Sequence, residues 1–183
     1  MGVLDVRGTH GSGKSWLVHK LLKDNFHYTI ERDGETIGYH VPKYKTAVVG
    51  KYSRVCGGCD AIKRADDVCD RVRVFSKHYD NVVLEGILVA HTFQRYSDLA
   101  TELKDYGYTF LFLNTPLQIC IGRVVARRHK KGNNKLFNPK NVAHDHKQIW
   151  QRVRPRMQKA GHNIRILSYI NPWDTFQEEL CAS

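Results

Sequence analysis

At 183 residues, with 42% hydrophobic and 26% charged side chains, the chain is long enough for one packed core and reads as a single domain over residues 1–183. Its longest apolar runs are too short to cross a bilayer and Met1-Gly2-Val3 leads straight into a first strand, so neither a membrane span nor a cleaved leader is expected, and a cytoplasmic setting is. Lys and Arg number 29 against 18 Asp and Glu; the net charge of +11 exceeds what one bound nucleotide needs and points to a polyanionic partner, with a generally basic surface as the plainer reading.

In chain order, Val3-Leu4-Asp5-Val6 reads as a buried strand in which Asp5 should be hydrogen-bonded and structural. Gly8-Thr9-His10-Gly11-Ser12-Gly13-Lys14-Ser15 follows at once and fits the phosphate-binding pattern GxxxxGK[ST] at every defined position. Glycines let backbone N–H groups curl around an anion, Lys14 adds a fixed charge at the β/γ-phosphates, and the Ser15 hydroxyl can ligate Mg²⁺. Residues 15–23 carry Trp16, Leu17, Leu21 and Leu22 at helical spacing, so the loop ends at a helix N-terminus whose dipole favours phosphate.

Residues 26–50 hold three short β-like runs with turn signals at Asp33-Gly34 and around Pro42, read as a strand and a hairpin insertion. Next comes a glycine loop, Gly50-Lys51-Tyr52-Ser53-Arg54 to Gly57-Gly58-Cys59-Asp60, suited to a substrate site. Cys56 and Cys59 form a CxxC without the second pair that structural zinc requires, and Cys56, Cys59, Cys69, Cys120 and Cys181 are expected as reduced thiols.

Residues 66–79 read as an amphipathic helix and 81–86 as a buried strand ending in Glu85-Gly86, where open α/β sheets place ligand-binding groups. A helix over 96–105, a strand over 108–113 and a helix over 117–131 follow, the last turning basic at Arg123, Arg127 and Arg128. Residues 139–160 read as one helix or two with a kink at Pro155, then a strand over 163–170 and a terminal helix over 173–180. Alternating strands and helices imply a three-layer α/β/α sandwich: a mostly parallel five-stranded sheet, a small hairpin insertion and a basic lid at about residues 123–140.

Two carboxylates compete for the chemistry. Glu85 is placed to hold Mg²⁺ directly or through water; Asp60 either takes the proton from an attacking hydroxyl or is an ordinary turn aspartate. Arg123 and Arg127, at i and i+4, share a helix face that either meets a nucleotide or is simply solvated. The ten histidines scatter without metal spacing except at His144-Asp145-His146, which is read as a solvated helix or loop stretch.

The loop, the strand end at Glu85-Gly86, and Leu113-Asn114-Thr115-Pro116 leading to the arginine helix resemble the small P-loop kinases of the nucleoside and nucleotide kinase type. That resemblance implies ATP and Mg²⁺ as cofactors, a lid in which Arg123 and Arg127 neutralise the transferring phosphoryl group, and adenine resting against Asn171-Pro172. At a finer level His10-Gly11-Ser12, the stretch from Gly50-Lys51-Tyr52 to Gly57-Gly58-Cys59-Asp60, and Leu84-Glu85-Gly86 resemble the phage 5-hydroxymethyluracil DNA kinases. The resemblance implies DNA containing modified bases as substrate, and the host cytoplasm as setting if the chain is phage-encoded; Tyr52, Phe93 and Tyr96 are the aromatics able to stack on an exposed base. A small-molecule kinase and a nucleic-acid-binding ATPase are the alternatives, and the oligomeric state is open.

Overall fold

The computed structural model describes residues 1–53, 57–133 and 136–182. Seven strands, β1 (Gly2–Arg7), β2 (Tyr28–Arg32), β3 (Glu35–Val41), β4 (Thr46–Val49), β5 (Asn81–Glu85), β6 (Tyr108–Asn114) and β7 (Asn163–Ser168), form one sheet in the order β2-β3-β4-β5-β1-β6-β7. β1 lies between β5 and β6, parallel to both, and all six of its residues are buried. β4 and β7 extend this parallel block to the five strands expected. The hairpin is not a separate insertion: β3 pairs antiparallel with β4, Gly38 opposite Val49 and Val41 opposite Thr46, making the sheet seven strands wide. An isolated hairpin is marginal in water and a bare β4 edge would leave its backbone groups unpaired, so joining the sheet solves both problems.

The helices are α1 (Lys14–Lys23), α2 (Ala65–Ser76), α3 (Ile87–His91), α4 (Gln94–Glu102), α5 (Leu117–Lys130), α6 (Pro139–Gln148), α7 (Arg154–Lys159) and α8 (Pro172–Ala182). Strand side chains alternate between two faces. Leu4, Val6, Val83 and Leu111 pack with Leu17 and Leu21 of α1 and Phe176 of α8. Val82, Leu84, Phe110 and Phe112 pack on the other face with Phe75 of α2, Leu99 of α4 and Met157 of α7. This is the α/β/α sandwich, and it sets the carboxyl ends of β1 and β5 side by side.

Asp5 is structural, as expected. Arg7 Nη2 donates to its Oδ2 at 2.8 Å and the Tyr108 hydroxyl donates to the same oxygen at 3.1 Å, with Asp5 and Arg7 both fully buried. The guanidinium also lies over the rings of Tyr96 and Phe110, 5.2 and 4.8 Å from their centroids, and Nη1 donates to the Thr92 carbonyl at 3.0 Å. Burial raises the Asp5 carboxyl above its ordinary value against the pull of Arg7.

One local element differs from expectation, and one expectation left open is decided. α3 was not anticipated, because five residues are too few to reveal a helical period. Residues 139–160, read as one helix or two, run without a break from α6 into α7 through a π-helical turn over Ile149–Val153. Pro155 has no N–H to offer the carbonyl of Gln151, and the turn widens just ahead of it.

Candidate active site

The loop after β1 is clamped from outside. Gly11 and Gly13 take φ of 77° and 112°, conformations that other residues rarely adopt. A Cβ on Gly11 would stand 2.3 Å from the Cys120 carbonyl oxygen, so the loop lies directly against α5. Thr115 Oγ1 donates to the Ser12 carbonyl at 2.8 Å, and Thr9 Oγ1 donates to the Val142 carbonyl at 3.4 Å. The residues ahead of α5, and α6 itself, therefore fix the loop's outer side.

Lys14 is buried. Its Nζ donates to the carbonyls of Gly8 at 2.6 Å and Thr9 at 3.3 Å, holding the loop closed around its own charge. Burial lowers the Lys14 pKa, while Glu85 and Asp60 pull it back up. Ser15 Oγ donates to Glu85 Oε1 at 2.9 Å. Glu85 is only 1% exposed, and burial pushes its carboxyl up to about 7 despite the opposing effects of Lys14 and Ser15. Gly58 lies on top of it, where a Cβ would stand 2.5 Å from Glu85 Oε1 and 2.9 Å from the Tyr52 hydroxyl.

Asp60 sits at the N-terminus of α3. Its Oδ1 accepts from the Ile87 and Leu88 N–H groups at 2.8 and 3.2 Å, and its Oδ2 accepts from Ile87 at 2.9 Å. Two of the orphan donors of that short helix are thus satisfied, and the carboxylate also faces the helix dipole. Arg123 Nη1 donates to the carbonyls of Ser12 at 3.2 Å and Gly11 at 3.4 Å. The side chain of Arg127, one turn on, makes no hydrogen bond or ion pair with any of the described residues, although it lines the same cavity.

Lys14, Ser15, Asp60, Glu85, Arg123 and Arg127 line one cavity of about 440 Å³, together with Thr9, His10, Gly11 and Gly13 of the loop. Gly8 and Ser12 contribute their carbonyls to the Lys14, Thr115 and Arg123 bonds. One space thus holds a cationic cradle, two carboxylates and a hydroxyl, the parts that gathering and transferring a phosphoryl group requires.

A family model described as 5-hmdU DNA kinase matches residues 2–162, taking in the whole cavity. The chain belongs to the 5-hmdU DNA kinase family. It is 34% identical over 161 residues to the 5-hmdU DNA kinase of Pseudomonas phage PaMx11, covering 80% of this chain and 80% of that one. It is also 24% identical over 192 residues to the 5-hmdU DNA kinase of Pseudomonas phage M6, covering 100% of this chain and 97% of the other. Among solved structures, a deoxyadenosine kinase from M. mycoides with bound dCTP is similar at a TM-score of 0.49 and 10% identity, over 99% of this chain and 100% of that one.

Asn171 and Pro172 lie beyond the stretch that matches the 5-hmdU DNA kinase family, and neither lines the cavity. Pro172 opens α8, and the Asn171 side-chain amide donates to Asp174 Oδ2. Their link to adenine therefore rests on resemblance alone. Arg54, Cys56 and Lys135, the last within the expected lid, lie outside the described residues. Cys59 is buried with its thiol 3.9 Å from the Val49 carbonyl, and among the described residues no three His, Cys, Asp or Glu are grouped to hold a metal ion. No helix among them is long and apolar enough to cross a membrane.

One part of the site was misread from sequence. Asp145 on α6 is not solvated: it is 16% exposed and sits between His10 Nε2 of the loop at 3.6 Å and His91 Nε2 of α3 at 3.5 Å. Burial lowers the pKa of both histidines, while the Asp145 charge pulls both up. Asp145 follows the core residue Val142 by three, which puts it on the inward side of α6, but partners 135 and 54 positions away leave no local signal. Tyr52 and Tyr96 are buried, leaving Phe93 as the half-exposed aromatic of the three.

Proposed function

We propose that the chain transfers the γ-phosphoryl group of ATP to the hydroxymethyl oxygen of 5-hydroxymethyluracil in DNA. The observation that carries this reading is the meeting of Lys14, Ser15, Asp60, Glu85, Arg123 and Arg127 on one cavity, in a member of the 5-hmdU DNA kinase family. The loop's N–H groups and Lys14 hold the β- and γ-phosphates. Arg127, free of partners among the described residues, meets charge that builds on the transferring group; Arg123 does the same while also bracing the loop. Asn171 and Pro172 border the adenine.

Ser15 and Glu85 suit Mg²⁺, since both offer hard oxygen donors on one side of the cavity and Mg²⁺ commonly takes one or two protein oxygens beside substrate phosphates. When bound, the ion would offset phosphate charge. Asp60, exposed on the cavity wall, is placed to accept the proton of the attacking hydroxyl. The acceptor oxygen forms a bond to γ-phosphorus, the bond to the β–γ bridging oxygen breaks, ADP leaves, and the proton passes to Asp60.

The test is γ-labelled ATP incubated with hydroxymethyluracil DNA, ordinary thymine DNA and a mononucleotide panel. Label on the first alone supports the reading. Efficient labelling of a mononucleotide with none on DNA replaces it with a small-molecule kinase, and DNA-stimulated hydrolysis without any labelled acceptor replaces it with a nucleic-acid-binding ATPase.

A further inference from the structure

A second groove, of about 530 Å³, opens beyond α3 from the phosphate cavity; it is lined by His91, Phe93 and Gln94 on one side and by Gln148, Arg152 and Arg156 on the other. We propose that this groove seats the DNA strand carrying the acceptor base, an inference that rests on the function proposed above.

The groove and the phosphate cavity are neighbours. α3 forms a shared wall: Ile87 lines the phosphate cavity and His91 lines the groove. Four helical residues rise about 6 Å, so the groove begins about one helical turn from the wall of the phosphate cavity. A base lifted from the stack can reach the cavity while its backbone stays outside.

The groove is also cationic. Arg152, Arg156 and Lys159 line the groove and no Asp or Glu does. All three are exposed and lie on α7 or the turn before it, where strand phosphates can take planar contacts from the two guanidiniums. This gives part of the +11 charge a location.

The groove also offers varied chemistry. Phe93 is half-buried with the Arg156 guanidinium 4.0 Å from its ring centroid, a stacked pair of the kind on which bases lie. Gln94, Gln148 and Gln151 bring amides that both donate and accept, matching the mixed edge of a pyrimidine. Gln148 Oε1 already receives Arg152 Nη1 at 3.3 Å, and Gln94 Nε2 donates to Asp98 at 2.8 Å, so both amides are held in place.

The experiment measures affinity for a hydroxymethyluracil oligonucleotide duplex by fluorescence anisotropy across a salt series, together with KM for the same DNA and for ATP. Wild type is compared with the double variant Arg152→Ala, Arg156→Ala, with the double Lys variant at the same positions, and with Lys43→Ala, Lys104→Ala. The last pair removes equal charge at the opposite, amino-terminal end of the parallel strands, where Lys104 lies beside Met1 and Gly2 and Lys43 precedes β4. The Ala pair should lose roughly tenfold or more in DNA affinity and about two units of the slope of log affinity on log salt, with ATP KM unchanged. The Lys pair should keep the slope, which separates lost charge from lost folding. If wild type labels the DNA and the Ala pair keeps its slope and KM, or if the Lys43, Lys104 control weakens binding equally, the groove is not the DNA seat. If wild type labels no hydroxymethyluracil DNA, the proposed function falls on its own, and the groove is then judged by binding: wild-type affinity in the Ala pair overturns it.

Discussion

Ser15 Oγ, at the end of the phosphate loop, donates a 2.9 Å hydrogen bond to Glu85 Oε1 at the end of β5, 70 residues away in the chain. The bond joins the hydroxyl suited to Mg²⁺ to a carboxylate that burial raises from 4.5 to about 7. The folded protein thus keeps a proton that the unfolded chain has released, and stability conferred by protonated Glu85 is lost as pH rises from about 4.5 through about 7. Glu85→Gln should flatten that slope, raise Tm at pH 8 without Mg²⁺, and lower kcat by roughly 10²-fold. Thermal melts and turnover across pH test both halves; parallel Tm curves for the two proteins would show that Glu85 does not titrate in this range.

Lys14→Ala removes the donor that two loop carbonyls share, but leaves the Thr115 and Arg123 bonds to the loop. Turnover should fall by about 10³-fold or more while stability drops by only about 1–2 kcal/mol. Circular dichroism and steady-state kinetics together measure this; near-wild-type kcat would remove the loop from the chemistry.

Arg123 and Arg127 should separate kinetically. Arg127→Ala should cost roughly 10²-fold in kcat with little change in ATP KM, because that side chain has no duty among the described residues until charge develops. Arg123→Ala should raise ATP KM as well, since its guanidinium also holds the carbonyls of Gly11 and Ser12. Equal changes in both variants would contradict this division.

Asp145→Asn should lower the pKa of His10 and His91 further, because the carboxylate that does most to hold their protonated forms up is gone, with Asp60 left as the weaker support of His10. Proton NMR titration of the two imidazoles reads this directly. Unmoved titrations would mean that the Asp145 contacts do not persist in solution.

Gly58→Ala places a methyl 2.5 Å from Glu85 Oε1 at a φ of +71°, so both backbone and carboxylate must move. Stability should fall by about 1–3 kcal/mol and kcat with it. Gly34→Ala, also at positive φ but with open space around it, carries the backbone cost without the clash and should leave kcat intact.

Most of this architecture is written locally. The phosphate loop is a contiguous pattern, and the parallel strands are apolar runs bounded by turns, so the fold and the placement of Glu85 were legible from β1 and β5 alone. Asp60 was legible as a cavity carboxylate but not as the cap of α3, since a five-residue helix has no period to detect. Asp145 was misread because its meaning lies in two histidines brought to it by other elements. The hairpin was seen, but not its partner, because strand order is decided by which edge needs covering rather than by the hairpin's own residues.

The π-helical turn at Ile149–Val153 works as a vernier. Ile149, Val153 and Met157 are buried at successive spacings of four. In an ordinary helix each such step drifts about 40° around the axis, so by the third residue the row would have rotated about 80° off the core. A wider turn takes up the excess and keeps the row facing the sheet. The same correction keeps Gln148, Arg152 and Arg156, also four apart, in a single file along the groove. Deleting one residue from this turn would change no side chain's chemistry, yet it would swing everything downstream by about 100°, carrying Arg156 away from Phe93 and turning Met157 out of the core.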